Sequence, residues 1–175
     1  VNKLNKNKSI FYPIVFDPFF KQNSFYKYKI KVTQEEINQI IIIIKNKKFK
    51  KDLQSNTYIN NLNILNFPLL KNIKTQIIKI LDEYNLYLTN NWAQFYNKND
   101  SHPIHTHDNS FLSGILYLTN KGSPTIFYDR SFCPYENEVE KNILILFPSW
   151  IPHEVKPLKN NEERLVISFN TNIKL

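Results

Sequence analysis

Methionine is absent from this 175-residue chain, cysteine occurs once and glycine only twice. The single thiol, Cys133, cannot form an intrachain disulfide, which excludes a cysteine framework and points to a reducing compartment, here expected to be the cytoplasm. No stretch has the ~20 apolar residues that a membrane-spanning helix needs. Residues Val1 to Lys8 are basic and polar and lack the apolar segment of a secretory signal. With Val1 first and no methionine anywhere, an initiator residue is expected to have been trimmed or to stand outside the sequence. Acids are the minority: 15 Asp and Glu face 23 Lys and Arg, for a net charge of +8. Such a balance suits nucleic acid, a membrane surface or an anionic small molecule. The lysines are scattered, with local density at 3–8 and 45–51, so they read as a solvated surface and nucleic acid is not favoured.

What is present is a globular interior. Hydrophobic residues make up 42% and aromatics 14%, enough to bury a core at this length. Ile, Lys and Asn are abundant, which we read as coding bias without functional content. Neither a repeat nor a linker divides the chain, so one domain over 1–175 is expected. Residues 1–90 would supply strands and supporting helices, and 91–172 a β core.

The segment 9–20 is aromatic and broken by prolines, as short edge strands are. Another strand is expected between Phe25 and Val32. Thr33 and Glu36 form a capping box ahead of Ile37, Ile40, Ile41 and Ile44 at helical spacing. The five isoleucines 40–44 would also suit a buried strand; the cap decides for a helix. Lys45 to Lys51 reads as a connector, and 53–65 as loop with a short strand. Pro68 opens a second amphipathic helix, Leu69, Leu70, Ile73, Ile77, Ile80, Leu81 and Tyr84 forming its stripe. From Asn91 the pattern changes to short strands: 92–96, 111–118, 125–128 after a turn at 121–124, 142–147, one beginning at Glu154, and 164–170. Such strands predict a sandwich or barrel. The fold expected is mainly β with supporting helices: a jelly roll, or double-stranded β-helix, with both helices packed on one sheet.

All four histidines lie between 102 and 153. His105 and His107 are two apart, so on an extended backbone they point the same way and can grip one ion. His153 follows at a distant strand end. Neutral imidazole is the commonest metal ligand, and a jelly roll would bring these strand ends together. His102, before Pro103 in a polar loop, reads as an ordinary surface residue. Asp108 is the rival to His107 but should point away from it.

Alternation adds an independent signal. Ser113, Ile115 and Tyr117 share one face of their strand, with Leu112, Leu116 and Leu118 behind. Arg164, Val166, Ser168 and Asn170 share a face in 164–170; Trp92, Gln94 and Tyr96 share one in 92–96. Polar groups converging in a mostly apolar cavity suit a small anionic ligand. An inward Arg164 would need a counter-anion, for which a carboxylate is the natural partner. Otherwise Arg164 is a strand-end arginine paired with a surface acid.

These residues carry a family resemblance. The chain resembles the iron(II)- and 2-oxoglutarate-dependent dioxygenases on their prolyl-hydroxylase side, and within them a group of largely uncharacterised bacterial and phage proteins. The motifs are Trp92, His105-Thr106-His107, Ser110-Phe111-Leu112-Ser113-Gly114-Ile115-Leu116-Tyr117, the run Ile145 to Val155 containing Phe147-Pro148-Ser149-Trp150 and His153, and Glu163-Arg164 through Ser168-Phe169-Asn170. The match is dense over roughly 92–170 and loose before it.

The resemblance implies Fe(II) held by His105, His107 and His153, with His107 standing where the family usually has a carboxylate. It implies that Arg164 binds the far carboxylate of the cosubstrate 2-oxoglutarate, with Tyr96 and Tyr117 beside it and Ser113 and Ser168 as weaker candidates. The implied reaction uses O2 to convert 2-oxoglutarate to succinate while hydroxylating an unidentified primary substrate. Halogenation or another oxidation stays open with a three-histidine site, and so does a homodimer. Trp150 and Phe127 would line the mouth or simply fill the core. The loop 131–141 would choose the substrate, and Cys133 has no assigned role. The alternative from another class is a non-catalytic, cupin-like metal-binding jelly roll; it leaves Arg164 unexplained.

Overall fold

The structure, a computed structural model, describes residues 25–46, 58–60, 63–120, 122–159 and 163–175. The edge strands expected in 9–20 lie outside the described residues.

Among the described residues, ten strands form two antiparallel sheets. They are β1 (Tyr26–Lys29), β2 (Tyr58–Asn60), β3 (Leu86–Tyr96), β4 (His102–His105), β5 (Leu112–Tyr117), β6 (Thr125–Tyr128), β7 (Pro134–Glu136), β8 (Ile143–Pro148), β9 (His153–Val155) and β10 (Arg164–Ile173). The larger sheet runs β1-β8-β5-β10-β3-β2 and the smaller β4-β9-β6-β7. Helices α1 (Gln34–Asn46) and α2 (Lys71–Asp82) lie against the larger sheet, α2 entered through two short 3-10 turns, Ile64–Asn66 and Pro68–Leu70. This is the jelly roll expected from the strand pattern.

The capping box decides α1. The Glu36 N–H donates to Thr33 Oγ1 (3.1 Å) and the Thr33 N–H to Glu36 Oε2 (2.8 Å), satisfying two donors at the helix start. Ile37, Ile40 and Ile44 are buried, so the isoleucine run reads with helical period. Asn72 on α2 donates to Glu36 at 3.1 Å and joins the two helices. Ile73, Ile77 and Leu81 bury the stripe of α2.

Alternation splits the larger sheet into two faces. Leu112 and Leu116, Leu144 and Leu146, Ala93 and Phe95, and Leu165, Ile167 and Phe169 turn to the helices. Ile115 and Tyr117, Ile145 and Phe147, Tyr96 and Val166 turn to the smaller sheet and form a second cluster with Phe127, Ile151 and Val155. Gly114 is paired with Phe169, and a Cβ there would meet the Phe169 ring at 2.2 Å. Glycine is therefore required by close approach rather than by backbone angle.

With so few glycines, left-handed turns fall to asparagine. Among the described residues, Asn63, Asn85, Asn99, Asn109 and Asn142 all have positive φ, between 49° and 69°. Asparagine tolerates this region best after glycine because its side chain bonds locally.

Four readings need correction. His102 and Pro103, taken as polar loop, belong to β4; Pro134–Glu136, inside the loop expected over 131–141, form β7. The strand expected at 92–96 begins at Leu86, and β10 runs on to Ile173 through a register shift against β3 between Phe169 and Thr171.

Candidate active site

The smaller sheet assembles the histidines. His105 on β4 and His153 on β9 are direct cross-strand partners, with ring centroids 4.2 Å apart. His107 follows β4 and is held by its backbone N–H, which donates to the Ser149 carbonyl at 2.9 Å. Its ring lies 5.0 Å from His105 and 5.1 Å from His153. One nitrogen from each ring falls within 4.8 Å of the others. Among the described residues no carboxylate joins this group. Asp108 is exposed and accepts a hydrogen bond from Thr106 at 3.4 Å.

Two of the rings are oriented by backbone carbonyls. His105 Nδ1 lies 2.8 Å from the Pro103 carbonyl and His153 Nδ1 2.9 Å from the Ile151 carbonyl. A carbonyl only accepts, so each Nδ1 carries the hydrogen and each Nε2 keeps its lone pair. Burial pushes the pKa of His105 down, that of His107 down to about 4 and that of His153 well below the usual range; neighbouring imidazoles add to the last two. All three are neutral at pH 7, the form that binds a cation. Three such nitrogens fit a divalent transition metal such as iron. His102 lies on β4, its ring 4.2 Å edge-on to His105.

Arg164 opens β10 opposite Tyr96 and is 1% exposed. Its Nη2 donates to Thr125 Oγ1 at 3.0 Å, while Nε and Nη1 are buried without a hydrogen-bond partner among the described residues. Each such donor costs about 1–3 kcal/mol. The guanidinium lies over the Tyr96 ring at 4.5 Å and 5.4 Å from the Tyr117 ring centre. The reading as an arginine paired with a surface acid does not hold: it is buried, and no acid pairs with it among the described residues. Burial raises the Tyr96 pKa, with the guanidinium opposing.

A cavity of about 450 Å³ joins these groups, lined by the three histidines, Arg164, Tyr96, Thr125, Trp92, Gln94, Ser168 and Asn170 among others. Tyr117 stands behind its wall, its hydroxyl 2.7 Å from that of Thr125. Ser113 is also outside the lining, bonded to Ser149 and to Asn170 Oδ1 at 2.9 and 2.8 Å. Ser168 lines the cavity and donates to Gln94 Oε1 at 2.9 Å. Phe127 packs against His153 at 5.8 Å rather than at a mouth, and Trp150 is half exposed after β8. Sequence reasoning missed Thr125, which anchors Arg164; its signal was its place two residues before Phe127, on the same inward face of β6.

No family model matches the sequence, and no curated protein matches it. Solved structures do. A prolyl-4-hydroxylase from Pseudomonas putida is similar with TM-score 0.67 and 14% identity, over 88% of this chain and 95% of that one. A Trichoplax adhaerens prolyl hydroxylase, in complex with a hypoxia inducible factor oxygen degradation domain peptide fragment, is similar with TM-score 0.68 and 14% identity, over 83% and 82%. HygX from Streptomyces hygroscopicus, with nickel, 2-oxoglutarate and hygromycin B bound, is similar with TM-score 0.68 and 9% identity, over 90% and 86%. The chain therefore has the jelly-roll fold of these prolyl hydroxylases and of the 2-oxoglutarate-bound HygX structure.

Proposed function

We propose that the protein is a non-haem Fe(II)- and 2-oxoglutarate-dependent oxygenase that hydroxylates a primary substrate. The observation that carries this reading is Arg164: a buried guanidinium with two unpartnered nitrogens, on the wall of the cavity that holds three neutral histidines. A buried charge without a partner is retained where a ligand supplies one. A diacid fits, because one end can take the open nitrogens of Arg164 while the other reaches toward the histidines.

In this reading His105, His107 and His153 hold the iron, which when bound supplies the oxidative chemistry with O2. The rest is the chain's own work. Arg164 fixes the far carboxylate, and Thr125 fixes Arg164. Tyr96 stacks on the guanidinium and excludes water from it. Ser168 and Gln94 shape the floor between Arg164 and Trp92. Tyr117 braces Thr125 from behind, and Ser113 braces Asn170. The protein is expected to act as one domain. A cupin-like module that only stores metal has no use for an unpaired arginine beside the ion.

The test is direct. Protein prepared without oxygen is given Fe(II), 2-oxoglutarate and then O2, and succinate is measured. Slow succinate release even without primary substrate supports the proposal. No succinate together with no 2-oxoglutarate binding would sink it in favour of the storage module.

A further inference from the structure

We infer that the primary substrate is a small organic anion, received as a carboxylate or phosphate group at the end of the cavity away from Arg164. This rests on the oxygenase reading above. It starts from the floor of the cavity. The inward residues of β10 run Arg164, Val166, Ser168, Asn170, spanning about 20 Å at the usual strand rise. A five-carbon diacid anchored on Arg164 does not reach Asn170. Trp92, opposite Ser168 in the ladder, has its ring 5.8 Å from that of His107, so the far half of the floor lies beyond the histidines.

From its middle outward the floor presents hydrogen-bond donors, Gln94 opposite Val166 at the middle and Asn63 and Asn170 at the far end. Asn63 Oδ1 accepts the Asn91 N–H at 3.2 Å, and Asn91 Oδ1 accepts the Leu65 N–H at 2.7 Å. Backbone donors leave these amides only one orientation. Gln94 Oε1 takes the Ser168 hydroxyl and Asn170 Oδ1 the Ser113 hydroxyl. Every one of these carboxamide oxygens is occupied by the protein. The NH2 groups of Asn63, Gln94 and Asn170 have no partner among the described residues, and all three residues line the cavity. Gln94 and Asn170 are each only 7% exposed. A buried lining that offers N–H groups and has spent its oxygens selects an acceptor.

Charge points the same way. Among the described residues, no Asp or Glu lines the cavity. Asp100 is buried nearby but caps its own turn, accepting the Asn97 N–H at 2.9 Å. With three neutral ligands a divalent ion keeps its full charge. A doubly charged cosubstrate then leaves one positive charge over, counting Arg164. A carboxylate in place of His107 would have cancelled it. The loaded cavity is thus a cation lined by donors, which is complementary to an anion.

The test uses two probes of one shape, benzoate and benzamide. Protein loaded with Zn(II) and saturated with N-oxalylglycine is titrated with each by calorimetry. Benzoate should bind at least about tenfold more tightly than benzamide. Asn170→Asp and Asn63→Asp each replace a donor by a carboxylate of the same shape and should each reduce that preference about fivefold or more. Zinc content and N-oxalylglycine binding, measured on every variant, show that the fold and the loaded site persist. Equal binding of the two probes, or a preference unchanged by both substitutions, overturns the inference and leaves the oxygenase reading standing. Wild-type protein that loads neither zinc nor N-oxalylglycine overturns both.

Discussion

Gly122 is packed against Arg164: a Cβ built at Gly122 would lie 2.7 Å from the Arg164 Cβ, and the Gly122 φ is +106°. The turn before β6 thus presses on the stem of the guanidinium from outside the cavity. Gly122→Ala would strain the backbone by roughly 1–3 kcal/mol and displace Arg164. The expected result is several-fold weaker N-oxalylglycine binding with unchanged metal stoichiometry, measured by calorimetry and metal analysis.

Arg164 itself separates stability from function. Arg164→Met removes a buried charge that lacks an acidic partner and keeps most of its volume. In the absence of ligand this variant should be as stable as the parent or more so, by up to about 1–4 kcal/mol, in thermal melts. Its affinity for 2-oxoglutarate should fall at least about a hundredfold, from the loss of two charge-assisted hydrogen bonds. A less stable variant that still binds 2-oxoglutarate would overturn the role of Arg164.

The third ligand can be decided by substitution. His107→Ala should cut metal affinity at least about tenfold, whereas Asp108→Ala should leave it unchanged, because Asp108 is exposed outside the group of three. Titration with Zn(II) under a competing chelator reads both. The reverse order of sensitivity would return the site to two histidines and a carboxylate.

Gly114→Ala tests the other glycine. Its new methyl would fall on the Phe169 ring, which is buried against the helices. A loss of roughly 1–3 kcal/mol is expected in urea unfolding. Adding Phe169→Leu should recover part of it by opening room above the strand.

Much of this was legible because alternation is a strict code. In 164–170 it placed Arg164, Ser168 and Asn170 on one face and Leu165, Ile167 and Phe169 on the other, as found. The His105/His107 pair was legible for the same reason. The short edge strands were not. β4 spans four residues with Pro103 among them, and β7 three starting at Pro134; neither is long enough to show a period. The start of β3 was hidden because Tyr87, Thr89 and Asn90 face solvent. Among the carboxamides, alternation placed Gln94 and Asn170 with the inward polar groups, but Asn63 was missed. Asparagine is so common here that its use at Asn63 was indistinguishable from bias, and only spatial convergence separates the two.

The register shift in β10 has a consequence for how this molecule can change. One extra residue on β3, where Asn90 and Thr89 stand against the single Asn170, divides the pairing into two lengths with separate alignments. The upstream length, Arg164 to Phe169, is indexed to Tyr96 through Asn91, and the downstream length, Thr171 to Ile173, to Leu88 through Leu86. The slack between them works like a spliced joint in a beam. Insertions or substitutions around Leu86 and Ile173 can be absorbed there, so the periphery is free to drift while the alignment of Arg164 with Tyr96 stays put.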